Sequence, residues 1–180
     1  MQFKKLGKSD LEVSSYCLGT MTFGEATSEK DGHEQIDISI DAGINFFDTA
    51  EMYPTCPLKA ETTGDTETIF GNWIDNNRSK RSEIVLATKI SGIGYNAVRN
   101  GEGINGRSIK IAIEGSLERL KTDYVDLYQL HWPNRGSYHF RQNWNYDPSN
   151  QDSKKTKENI LEVLESLSKI HKEGKIRYIG

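Results

Sequence analysis

An α/β fold built on a parallel sheet is predicted by three features of this sequence. Short apolar runs alternate with amphipathic segments of helical period through most of the chain. The runs are continuous rather than interleaved with polar residues, as strands covered on both faces are. Three of them finish on or beside an ionisable residue, Asp48, Lys89 and His131, spaced 41 and 42 residues apart.

The elements follow in order. "FKKLG" and "LEVSS", joined by the turn residues "KSD", predict a small N-terminal hairpin. "YCLGTM" is the first strand of the repeating pattern, and Cys17 reads as a small core residue within it. Ser28, with Asp31 three residues on, caps a helix whose Ile36 and Ile40 share a face and which Gly43 ends. "INFFDTA" is the next strand, and residues 66–76 form a helix with Ile69, Phe70, Trp73 and Ile74 on one side. "EIVLATK" is a strand. Ser108 opens a helix with Ile109, Ile113, Leu117 and Leu120 at helical spacing. "YVDLYQLHW" is a long strand, followed by a polar, aromatic loop from Pro133 to about Thr156 that includes the basic run "KKTK". The helix "ENILEVLESLSKIHKEG" and the strand "KIRYIG" complete the chain.

Two architectures fit this alternation. A doubly wound open sheet binds ligands where its strand order reverses. A (β/α)₈ barrel gathers functional groups at the carboxyl ends of its strands. Asp48, Lys89 and His131 arrive at one rim from successive strands, which favours the barrel mouth.

Bulk composition excludes several functions. The 26 acidic and 23 basic residues give a net charge of −3 with no broad basic face, so neither nucleic acid nor a membrane surface is an expected partner. No segment has the apolar length to span a bilayer, and "MQFKKLGKSDLEVSS" lacks the apolar core of a secretory signal. Cys17 and Cys56 match no metal spacing, and a reduced, cytoplasmic protein with no bound metal is the expectation.

The rim residues suggest a chemistry. A carboxylate at the edge of a core needs a cation or a polar site, and Lys89 can supply the cation for Asp48. Tyr53, five residues beyond Asp48, can lie over that pair, with His131 closing the group. An ammonium beside a phenol favours the phenolate and makes the phenol a usable proton donor near neutral pH. Such a group can protonate a carbonyl oxygen while another agent delivers hydride. The plainer reading of Asp48 and Lys89 is a structural ion pair.

At these residues the sequence resembles the aldo-keto reductases, and closely their Tas-type subgroup. The shared motifs are "LGTMTFG", "GINFFDTAEMY", "TETIFGNWI", "IVLATK", "SLERLKTDYVDLYQLHWP" and "GKIRYIG", spread over the whole chain. The resemblance implies a (β/α)₈ barrel with a hairpin closing its base, NADPH as hydride donor, and an aldehyde or ketone as substrate. It implies Tyr53 as proton donor, Lys89 as its partner, Asp48 as the carboxylate pairing with Lys89, and His131 as the residue orienting the carbonyl. It places Gly19, Thr20, Met21 and the Asp48 side chain near the nicotinamide ribose, and Phe23 and Trp132 toward the substrate. Eight units of about 40 residues make roughly 320. Residues 1–180 therefore correspond to one domain, the first four βα units plus a fifth strand. An open half-barrel edge of that kind is a surface for self-association.

Other readings remain. "GEGING", residues 101–106, matches a dinucleotide-binding glycine pattern, but the preceding strand ends near Lys89, some twelve residues too early for that turn. His33, His139 and His171 have no comparable context. Some members of the superfamily serve as cofactor-binding subunits rather than enzymes. A half-length chain could also pair with another half-barrel.

Overall fold

The structure is a computed structural model and describes residues 1–134, 144 and 146–180. β1 (Phe3–Lys5) and β2 (Glu12–Ser14) pair antiparallel, with Lys4 opposite Val13. Leu11 and Val13 of the hairpin are buried with Val85, against partly buried Leu6, Phe46 and Tyr178. Phe46 and Val85 begin their strands, so this cluster plugs the amino-terminal end of the sheet. Asn45 fastens it, accepting the Ser14 N–H at 2.8 Å and donating to Glu12 O at 2.9 Å.

The sheet decides between the two architectures. β3 (Cys17–Gly19), β4 (Phe46–Asp48), β5 (Val85–Ile90), β6 (Val125–Leu130) and β7 (Ile176–Ile179) lie parallel and in sequential order. The crossovers carry α1 (Glu29–Asp41), α2 (Asp65–Asn76), α3 (Gly106–Leu120) and α4 (Ser153–Lys172), each packed on the next. One apolar cluster joins all four helices to the sheet, with Ile36, Phe70, Ile113 and Leu167 meeting Phe47 and Leu86. A doubly wound sheet reverses its order and carries helices on both faces. Sequential strands under one helical layer are the wall of a barrel, here its first five strands.

Local chemistry sets the helix ends. Ser28 accepts the Asp31 N–H at 3.2 Å, and Gly43 turns the chain out of α1 at φ +84°. Asn105, not Ser108, caps α3: Asn105 Oδ1 accepts the Ser108 N–H at 2.9 Å and Ser108 Oγ accepts the Asn105 N–H at 2.8 Å. α4 begins before the sequence suggested. Asp152 Oδ1 accepts the N–H groups of Lys154 and Lys155 at 2.9 and 3.1 Å, so "KKTK" forms its first turns rather than a loop. Of the polar, aromatic loop expected before it, residues 135–143 and 145 lie outside the described residues, His139 among them.

Cys17 is also placed differently from expectation. Leu18 packs on the helix side, so strand alternation turns Cys17 to the concave face, where it is exposed rather than in the core.

Charged residues lock the wall from within. Asp126 of β6 is 1% exposed and accepts the Leu86 N–H at 3.0 Å, Arg81 at 2.9 Å and Arg177 at 2.9 Å. It therefore ties β5, β6 and β7 to the turn before β5. Asp126→Ala strands the buried Arg81 guanidinium, and loss of one partner from a buried pair costs about 3–5 kcal/mol. Urea unfolding should show that loss; a change below about 1 kcal/mol, the size of a surface pair, would contradict the role.

Candidate active site

Asp48 is the last residue of β4, in register with Gly19 and Ala87. Lys89 lies one residue before the end of β5, and His131 directly follows β6, its N–H donating to Ile90 O at 3.0 Å. Tyr53 sits on the loop after β4, with its N–H on Ala50 O at 3.1 Å and its carbonyl accepting the Gly64 N–H at 2.9 Å. Parallel strands in register deliver the first three side chains to one rim, and the short loop folds the phenol back over them.

The four groups meet around one ammonium. Lys89 is buried, and its Nζ donates to Asp48 Oδ2 at 2.6 Å, Thr49 O at 2.7 Å and Tyr53 Oη at 3.4 Å. All three ammonium donors are committed, which fixes the charge in place. Nζ also lies 4.7 Å from the Tyr53 ring centroid. The His131 ring stands edge-on to Tyr53, centroids 5.7 Å apart and planes at 76°.

His131 is held neutral. Burial, and secondarily the Lys89 charge, push its pKa down to about 4. Its Nδ1 is buried with no hydrogen-bond partner among the described residues, as is Oε1 of Gln129, the register neighbour of Lys89. Buried polar atoms without partners are costly, and at a strand rim they are the atoms a ligand satisfies. Sequence reasoning passed over Gln129. Its signal was a polar residue two positions before His131, on the same strand face.

The remaining expected contacts divide. Thr20 is buried, with its N–H and Oγ1 both on Asp48 O at 3.1 and 2.9 Å, and the Met21 carbonyl accepts the Thr55 N–H at 3.1 Å. What this segment offers a ligand beside Asp48 is the exposed Met21 side chain and the bare face of Gly19, where a Cβ would meet nothing within 4 Å. Trp132 packs at 5.0 Å from the His131 ring and over Gly92, donating from Nε1 to Ile93 O at 3.1 Å.

Phe23 does not face a substrate. It is fully buried in the core against α1, so close to Gly32 that a Cβ there would come within 2.9 Å of its ring. The chain turns back at Thr20, whose carbonyl accepts the Phe23 N–H, and drives the ring under the helices.

"GEGING" lies apart from any strand end. β5 stops at Ile90, and Gly106, the last glycine of the motif, opens α3. Among the described residues, no helix is long and apolar enough to cross a membrane.

A barrel wall with Asp, Tyr, Lys and His converging at its carboxyl rim defines a class, and comparison with known proteins agrees. The aldo/keto reductase family model matches residues 16–180, and the chain belongs to that family. It is 42% identical to Protein tas of Escherichia coli, over the whole chain and 51% of that protein. It is 36% identical, over 74% of its length, to a probable voltage-gated potassium channel subunit beta of Oryza sativa, of which it covers 38%. Among solved structures, the holo form of the aldo-keto reductase AKR11C1 from Bacillus halodurans superposes with a TM-score of 0.72 at 31% identity, covering all of this chain and 49% of that one. The chain spans about half the length of the curated relatives it matches.

Proposed function

We propose that this chain carries the catalytic half of an NADPH-dependent reductase of aldehydes or ketones. The observation that supports the reading most is the Lys89 ammonium bridging the Asp48 carboxylate and the Tyr53 phenol, with a neutral imidazole alongside. The residues present fit the cofactor and substrate: an open face at Gly19 beside Asp48, and unspent polar atoms on Gln129 and His131. The choice of NADPH rests on the family likeness. Bound there, the cofactor supplies hydride to the carbonyl carbon.

The chain's own residues manage the proton. Tyr53 gives its phenolic proton to the carbonyl oxygen. Lys89 steadies the negative charge left on the phenol, and Asp48 holds the Lys89 ammonium in place. His131, being neutral, polarises the same oxygen by hydrogen bond without setting a second cation beside Lys89. Trp132, tilted against His131 with ring centroids 5.0 Å apart, walls the substrate side. Cys17 and Cys56 are free thiols, in keeping with a cytoplasmic enzyme.

Carbonyl turnover with NADPH tests this in a full-length version, meaning the chain continued to the length of its relatives. Lys89→Met should lower kcat, because the cation that steadies charge developing on the Tyr53 oxygen is gone. Wild-type kcat in that variant would count against the pairing. Asp48→Asn added to Lys89→Met should cost far less than Asp48→Asn alone, since residues acting as a unit are non-additive.

A second reading, a cofactor-binding regulatory subunit, draws on the likeness to the potassium channel subunit beta. NADPH binding without turnover of any carbonyl would favour it.

A further inference from the structure

We infer that Glu51, paired with Arg99, is a positioning residue that sets Tyr53 against Lys89; the inference builds on Tyr53 as proton donor. Glu51 lies two residues before Tyr53 and is 3% exposed. It grips the exit of β5 twice. Its backbone N–H donates to Lys89 O at 3.2 Å, and its Oε1 accepts the Ser91 N–H at 2.5 Å. The loop bearing the phenol is therefore pinned on both sides of Ile90, one residue past the lysine.

Arg99 makes that grip tenable. Its guanidinium holds the Glu51 carboxylate with two bonds, Nη1 to Oε2 at 2.5 Å and Nη2 to Oε1 at 2.8 Å, and Nη2 also donates to Ser91 O at 3.2 Å. A buried carboxylate needs such a partner, and the forked geometry fixes direction as well as charge. Arg99 comes from the loop after β5, which bends sharply to present it. Arg99, Asn100 and Gly101 adopt φ of +46°, +53° and +75° in succession. Glycine adopts that left-handed conformation freely and asparagine readily, whereas at Arg99 the Cβ crowds the following carbonyl and the backbone is strained. Such strain persists where surrounding contacts over-determine it, and the doubly bonded guanidinium is the contact available.

The geometry it guards is narrow. Tyr53 Oη sits 3.4 Å from Lys89 Nζ, at the outer limit of a hydrogen bond. The protein holds other buried ion pairs, but their charges sit on other elements: Glu67 with Arg119 joins α2 to α3, and Asp126 with Arg81 joins the sheet to the turn before β5. Glu51 differs in having its charge on that loop. A displacement of about 1 Å at a reacting group can cost about 10²-fold in rate.

Two double variants of the full-length version separate positioning from mere folding. Glu51→Leu/Arg99→Met removes both charges and the Ser91 bond together, leaving no unpaired buried charge. Glu51→Gln/Arg99→Met also removes the charges but keeps an acceptor for the Ser91 N–H. The Leu pair should lose about 10-fold or more in kcat while KM for NADPH changes by less than about 2-fold, and the Gln pair should recover most of the loss. The NMR resonance of the Tyr53 ring, assigned with Tyr53→Phe, should move in the Leu pair and stay near its place in the Gln pair. Wild-type kcat and an unmoved Tyr53 resonance in the Leu pair would overturn the inference. So would equal losses in the two variants tracking a common fall in thermal midpoint, or a Leu pair that fails to fold. If Tyr53→Phe keeps its turnover, the proton-donor reading fails separately, and the Tyr53 resonance still reports whether Glu51 sets the ring.

Discussion

Tyr53→Phe in a full-length version should lower kcat for carbonyl reduction by about 10²-fold or more while NADPH still binds. The substitution keeps the ring, so the edge-on contact with His131 and the place of the ring near the Lys89 ammonium are retained. What goes is the hydroxyl that Lys89 Nζ reaches at 3.4 Å. Lys89 keeps its bonds to Asp48 and Thr49 O, so no charge is left unpaired and the fold has no reason to weaken. The loss should fall on kcat and kcat/KM alike, the pattern of an interaction made in the transition state alone. His131 cannot take over the proton, because with a pKa near 4 it carries none to spare at neutral pH. Stopped-flow reduction at saturating NADPH would measure the step directly, and near-normal kcat in the variant would remove Tyr53 from its role.

The rim was readable because strand ends announce it. A continuous apolar run that stops at Asp48, Lys89 or His131 tells which residue leaves the core, and the unit-length spacing places all three on one edge. The barrel topology followed from the same regularity. Glu51 and Arg99 were hidden for the opposite reason. They stand 48 residues apart, and Arg99 lies in a polar loop where no period marks which side chain turns inward. Their pairing is a product of tertiary folding, as is the three-stranded clamp at Asp126.

Phe23 and Cys17 show where expectation and structure part. Resemblance to the family alone put Phe23 toward the substrate. A single hydrogen bond, Phe23 N–H to Thr20 O, reverses the chain and buries the ring. Cys17 was legible as a strand residue but not by face. In a three-residue strand, parity is set by the neighbour that packs, here Leu18. The start of α4 was misjudged because lysines in a row resemble solvated loop, although Asp152 just before them is a strong cap.

Studied as 180 residues alone, the chain should self-associate and bind NADPH too weakly to work as a reductase. β7 ends the sheet, and its outer edge has no partner strand among the described residues. Ile179 of that strand is 42% exposed. Beside it α4 shows Ile160, Leu161 and Leu164, each about half exposed. An unpaired edge next to an apolar helical face is the kind of surface that recruits another copy. The concave face, where Cys17 is exposed, lacks an opposite wall in this half of the barrel. Light scattering should therefore give a mass above the 20.4 kDa of one chain, and Leu161→Glu with Leu164→Glu should reduce it. Fluorescence titration with NADPH should show no saturation at micromolar concentrations, because the family likeness puts most phosphate and adenine contacts in the other half. Asp48, Tyr53, Lys89 and His131 nonetheless converge within these residues, so the deficit should lie in cofactor affinity and not in assembly of the four groups. A monomer that bound NADPH at micromolar concentration and reduced a carbonyl would contradict both halves of the expectation.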